Sequence, residues 1–141
     1  RDALNVSGIT HAIVQLGIND IGFQHQWTPQ ETATADDVIA SLSDAVAAGK
    51  AAGVQVHVAT LTPFKGHVYY SEAGEAMRQA VNAWVRSGAG GAAGVVDFDK
   101  ALRDPADPEA LLAAYRAEDY LHVNDLGFQA MADCVPLERF V

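Results

Sequence analysis

Short, nearly continuous apolar runs alternate along this chain with segments of helical periodicity, and that alternation constrains the fold more than any other feature. His11-Ala12-Ile13-Val14-Gln15-Leu16, Val54 to Leu61 and Gly94 to Phe98 each read as a strand. The runs are short and close to continuous in apolar residues, although His57 alternates within the second. Strands apolar on both sides belong to a parallel sheet covered by helices, and parallel neighbours need crossovers. The predicted class is therefore α/β, in the order β-α-β-α-β-α with right-handed crossovers.

The helices carry their own signals. Thr34-Ala35-Asp36-Asp37 offers an N-cap hydroxyl with a carboxylate three residues later. Val38, Ile39, Leu42, Ala45, Val46 and Gly49 then follow at helical spacing, and Gly53 is a natural stop. Ser71 can cap a second helix, whose predicted inner stripe is Ala73, Ala76, Met77, Ala80, Val81, Trp84 and Val85. Gly88 to Gly91 breaks it. A last helix starts at Asn124 or Asp125, turns Phe128, Met131, Ala132 and Val135 inward, and ends at Pro136. Between these elements, Asn19 to Thr34 reads as a long loop, as does 103–118 with a short helix around Glu109 to Tyr115.

Composition bears on partners. The 141 residues suit one domain, 1–141, and the net charge of −9 excludes a nucleic-acid surface, whose phosphates would be repelled. No apolar run approaches the ~20 residues of a membrane helix, so a soluble chain is expected. A single cysteine, Cys134, leaves no internal disulfide, and late in a helix it reads as inert. No His/Asp/Glu set has a metal-ligand spacing, and neither a metal nor a cofactor is expected.

In open parallel sheets, functional groups gather beyond the carboxyl ends of the strands. Three segments meet that edge: Gly17-Ile18-Asn19-Asp20, Thr60-Leu61-Thr62-Pro63-Phe64, and the loop carrying Asp119 and His122. A carboxylate three residues before an imidazole can hold the ring in one tautomer as a general base. Equally, the pair can be a plain loop feature beside a helix cap. An asparagine amide at the same rim suits acyl transfer, donating to the oxyanion of a tetrahedral intermediate.

Gln15-Leu16-Gly17-Ile18-Asn19-Asp20 resembles the Gly-x-Asn-Asp block of the SGNH (GDSL-type) hydrolases, and Asp119-Tyr120-Leu121-His122 resembles their Asp-x-x-His block. The order of the blocks, Asn124, Gly127 and Met131-Ala132 after them, and the intervening Ala59 to Pro63 and Val96 to Asp99 extend the likeness over nearly the whole chain. The resemblance implies a three-layer α/β/α, flavodoxin-like fold of five parallel strands, of which this chain supplies three. It implies ester hydrolysis with His122 as base, Asp119 as its orienting partner and Asn19 as an oxyanion donor. Gly17, Thr62 and Phe64 are the expected substrate-binding positions.

The sequence departs from the family in two places. Val123 stands where many members have proline after the histidine. The Gly-Asp-Ser block with the nucleophile and a second block with an oxyanion glycine are absent, since only sixteen residues precede Gly17. Ser7 precedes the strand, Ser41 and Ser43 sit within a helix, and Ser71 serves as a cap. The expectation is a C-terminal portion of such an enzyme, with a small-molecule ester as substrate and either a second polypeptide carrying the missing strands or a homodimer as partner. Secretion is compatible with it. The rival readings are a non-catalytic α/β domain, kept for binding or as a truncated remnant, and a flavodoxin-like cofactor or signalling domain. His57 is expected to be a packed histidine and His11 structural. His25 and His67 lie in rim loops, where Trp27, Phe64, Tyr69 and Tyr70 either line a pocket or pack the loops.

Overall fold

The structure is a computed structural model and describes residues 4, 6–27 and 33–140, with the side chains at 24–26 also outside the described set. Strand β1 spans His11–Val14, β2 Gln55–Ala59 and β3 Gly94–Val96. They form a parallel sheet in the order β1-β2-β3, with Ala12 opposite Val56, Val14 opposite Val58, and Val58 opposite Val95. Paired residues share a face, so the period of two sorts the side chains into two cores. Val14, Val56, Val58 and Val95 join the larger core beneath α2 (Ala35–Ala51) and α3 (Glu72–Arg86). Ala59 and Val96 face the other way, toward Phe98, Leu102 and Leu111. There α4 (Phe98–Leu102) and α5 (Asp125–Asp133) cover the sheet, and the result is three layers.

Local chemistry accounts for the boundaries. Thr34 and Asp37 form a reciprocal capping box, Thr34 Oγ1 accepting from the Asp37 N–H at 3.2 Å and Asp37 Oδ2 from the Thr34 N–H at 2.8 Å. Val38, Leu42, Val46 and Gly49 are the buried face of α2. Gly49 permits contact with β2, because a Cβ there would lie 2.1 Å from Val56 Cγ2. Ser71 caps α3 by accepting from the Gly74 N–H at 3.0 Å, and Asn124 caps α5 through Gly127 at 3.1 Å.

Four expectations are corrected. The segment after β1 is not all loop: α1 spans Ile18–Trp27, and the aromatics and Gly22 that read as loop signals are helical. Gly22 is required by packing, since a Cβ would meet the Tyr69 side chain at 2.4 Å. Residues 28–32 of the expected loop, with Pro29, lie outside the described residues, as does the side chain of His25. The strand at 94–98 stops at Val96, because Asp97 accepts from the Lys100 N–H and caps α4. No helix forms around 109–115, where turns lead to a bridge between Arg103 and Leu111.

The fourth correction concerns helix faces. Ala73, Ala76 and Ala80 are exposed, while Gly74, Glu75, Arg78, Val81, Asn82 and Val85 are buried. On α5, Ala132 and Phe128 are exposed, whereas Met131, Cys134 and Val135 pack on the smaller core. In α3 the error came from assigning alanines inward and charges outward. Charges that find partners reverse that preference.

Candidate active site

At the carboxyl edge of the sheet, Gly17 turns the chain from β1 directly into α1. Its φ of +126° suits glycine, and a Cβ there would lie 2.6 Å from Val38 Cγ1. The Ile21 N–H then bonds the Gly17 carbonyl at 3.1 Å, so Asn19 falls in the first turn of α1. Asn19 is exposed, and its amide has no hydrogen-bond partner among the described residues.

The end of β2 is held from both sides. Gln15 Nε2 donates to the Thr60 carbonyl at 3.0 Å, tying β1 to β2. Asn82 accepts from the Leu61 N–H at 2.7 Å and donates to the Leu61 carbonyl at 2.9 Å. Arg78 Nη1 donates to that same carbonyl at 2.9 Å and to Asp99 Oδ1 at 2.6 Å, while its Nε and Nη2 hold both oxygens of Glu75. The Thr60 hydroxyl donates to Asp97 Oδ1 and accepts from the Asp99 N–H. Arg86 completes the cluster, reaching Asp97 and Asp99. Burial raises the Asp97 carboxyl, but hydrogen bonds from Arg86 and the Lys100 N–H hold it below the ordinary range. This network fixes Leu61 and Thr62 as one wall of the site. The sequence concealed it, and only the spacing of Glu75, Arg78 and Asn82 in register with Val81 and Val85 could have revealed it.

The third segment carries the histidine. Asp119 Oδ1 accepts from the Leu121 and His122 N–H groups, each at 3.0 Å, and Oδ2 lies 2.5 Å from His122 Nδ1. An acceptor-only carboxylate assigns the Nδ1 proton to the ring and leaves Nε2 as the basic nitrogen. The hydrogen bond to His122, then the backbone donors at 122 and 121, hold the Asp119 carboxyl well below the usual range. Tyr120, between them, has φ +63°. For a bulky residue that conformation costs on the order of 1–2 kcal/mol.

The three segments enclose a cavity of about 220 Å³. Leu16, Ile18 and Asn19 line it on one side, Leu61 and Thr62 behind, and Leu121, His122, Val123, Phe128 and Met131 opposite. Asn19 and His122, a hundred residues apart in the chain, thus share one cavity, with Thr62 beside them. Gly17 and Phe64, expected to bind substrate, do not line it. Gly17 supports Asn19 from below, and Phe64 is fully buried in the larger core.

Residues 2–130 match the model of the GDSL-like lipase/acylhydrolase family. The chain belongs to that family. No curated protein is similar enough in sequence to count as a relative. Two solved structures share its fold. A GDSL-like lipase from Bacteroides thetaiotaomicron VPI-5482 is 16% identical with a TM-score of 0.70, over 91% of this chain and 60% of its own. A putative acylhydrolase from Bacteroides fragilis NCTC 9343 is 17% identical with a TM-score of 0.68, over 93% of this chain and 61% of its own. The chain thus spans about three fifths of the length of each.

Other candidates resolve plainly. Among the described residues no serine lines the cavity: Ser7 is exposed, Ser41 and Ser43 donate to α2 carbonyls, Ser71 is a cap and Ser87 donates to the Trp84 carbonyl. Asp20 lines a neighbouring cavity of about 100 Å³ instead. The Tyr70 hydroxyl donates to Glu109, which with burial pushes its pKa up to about 12. His67 Nδ1 accepts from the Tyr69 N–H at 3.1 Å, and Trp27 is largely exposed. His57 is buried and stacks on His11 and Phe140. Burial raises the Cys134 thiol pKa, so little thiolate forms. Among the described residues, no group of three His, Cys, Asp or Glu side chains could hold a metal ion, and no helix is long and apolar enough to cross a membrane.

Proposed function

We propose that this chain carries the base and oxyanion side of an acyl-transfer site for carboxylic esters. The observation that carries the reading is the shared cavity: His122, with Asp119 on its Nδ1, and the unpartnered amide of Asn19 line the same space. His122 Nε2 takes the proton of an attacking hydroxyl and returns it to the leaving alcohol, and Asp119 stabilises the imidazolium between the two steps. The Asn19 amide donates to the oxyanion, a contribution worth roughly 3–4 kcal/mol. Leu16, Leu61, Leu121, Phe128 and Met131 make the cavity walls apolar, which suits the acyl group.

The nucleophile comes from outside the described cavity. Among the described residues β1 has a partner on one side only, and Ile13 within it and Leu16 after it are exposed, Leu16 by 68%. An unpaired edge of this kind accepts a further strand. We place the hydroxyl on a polypeptide segment that docks along β1, either a further segment of this protein beyond residues 1–141 or a second chain. A fluorophosphonate probe applied to the protein isolated with its natural partner tests this, since it labels only an activated serine. Labelling and p-nitrophenyl butyrate hydrolysis, both lost in His122→Ala, are the expected results. The absence of a cavity-lining serine favours one rival, a binding domain without chemistry. Unlabelled protein that still binds the ester would establish that rival instead.

A further inference from the structure

Tyr120 stands inside the Asp119–His122 segment, yet its backbone is in a conformation that its own side chain disfavours. Its φ of +63° is the only positive value on a residue other than glycine in the described chain apart from Ala89. Without that turn the chain could not fold back tightly enough for one Asp119 oxygen to accept from two successive N–H groups while the other meets the ring of His122. At the base of the turn the Ala117 N–H reaches the His122 carbonyl at 2.8 Å and Arg116 bridges Val123, while at its tip the Tyr120 N–H reaches the Ala117 carbonyl at only 3.3 Å. Asp119 and His122 are themselves exposed, His122 by 73%, whereas Leu121 and Val123 beside them pack on the two cores.

The ring of Tyr120 supplies a restraint at the tip of the turn. It lies over Gly66, where a Cβ would come within 2.5 Å of Tyr120 Cδ1. Gly66 has φ +99° in the loop between β2 and α3. That loop is anchored next door, the Lys65 N–H on the Glu109 carbonyl at 3.0 Å and its ammonium on Asp107 and Glu109. The Arg116 guanidinium lies over the ring, 3.9 Å from its centre. The ring thus has two neighbours, a glycine whose missing Cβ leaves room for it and a cation over its face.

We infer that Tyr120 is a positioning residue: the seat of its ring against Gly66 and Arg116 holds the left-handed turn that presents the Asp119 carboxylate to His122 Nδ1. Its importance for catalysis rests on the proton-transfer reading of that pair, while its geometric role does not. The β2–α3 loop, which also borders the site through Thr62, thereby sets the orientation of a histidine sixty residues away in the chain.

The test reads the pair directly, in the full chain, by NMR. Long-range proton–nitrogen correlation of His122 reports its tautomer, and carboxyl carbon titration reports Asp119. Tyr120→Phe keeps the ring and should match the parent in both. Tyr120→Ala keeps the backbone strain and loses the seat, so the Nδ1-protonated preference should be lost and Asp119 should titrate upward toward the ordinary range. Tyr120→Gly tolerates the positive φ and should fall between the two. If Tyr120→Ala does not fold, Arg116→Met removes the cation over the ring and should shift both signals in the same direction. A folded Tyr120→Ala protein with an unchanged tautomer and an unchanged Asp119 titration overturns the inference. Shifted signals beside an enzyme that never hydrolyses esters would sink the proposed function and leave the positioning role intact.

Discussion

Two charged clusters within this chain, one around Arg78 and one at His122, use the same chemistry to opposite ends. Arg78 is fully buried, and its guanidinium is engaged by Glu75, Asp99 and the Leu61 carbonyl. His122 is mostly exposed, is held at one nitrogen by Asp119, and keeps the other without a partner among the described residues. A satisfied cluster can only hold structure. An unsatisfied one has capacity left for a substrate proton. The buried cluster shapes the wall at Leu61 and Thr62, and His122 of the exposed cluster lines the cavity in front of that wall. Perturbed ionisation alone does not separate them, because Asp97 in the first and Asp119 in the second are both held low.

Substitutions can break or sharpen this contrast. Arg78→Met should have the largest effect on stability, because buried Glu75 loses its ion-pair partner and Asp99 one of its partners. A loss of about 3–5 kcal/mol is expected from chemical denaturation. His122→Ala should do the reverse: in the assembled hydrolase kcat/KM should fall about 10²–10⁴-fold, while stability changes by less than about 1 kcal/mol. Comparable stability losses in the two variants would erase the distinction.

A third case lies between the two clusters. His57 is as buried as Arg78, yet both its ring nitrogens lack a hydrogen-bond partner. Burial, then the nearby His11 and Arg139, lower its pKa. The unfolded chain therefore takes up a proton below about pH 6.5 that the native state resists, and stability falls as pH drops from there. His57→Leu should flatten that decline between pH 7 and pH 5, as read from urea midpoints, at little cost at pH 8. Ala76→Gln should have the smallest effect. It sits on the exposed side of α3, so a change within about 0.5 kcal/mol is expected. A larger loss would mean that the alanine face is the packed one.

The residues that share the cavity are legible in the sequence. Asn19, Asp119 and His122 were assigned from short blocks placed after strands, and Thr34, Ser71 and Asn124 from cap chemistry, because such signals lie within a few neighbouring residues. Phe64 and Gly17, expected as substrate contacts, do not line the cavity. Position after a strand sets which edge a residue occupies, whereas the side chain's direction depends on packing. Phe64 turns into the core and Gly17 against Val38. The α1 helix was hidden because Gly22 reads as a breaker until Tyr69 is seen to occupy the space of its Cβ.

By itself the sequence determined the parallel α/β arrangement, the strand order along the chain and the rim that carries the polar groups. Period-two and period-3.6 patterns are local and survive without knowledge of neighbours. Only the tertiary structure decided which face of α3 is inside, where charges pair across twenty residues of sequence. It alone decided that Tyr120 takes a left-handed turn against Arg116 and Gly66. Those outcomes depend on long-range partners, and a residue's own propensity points the other way in both.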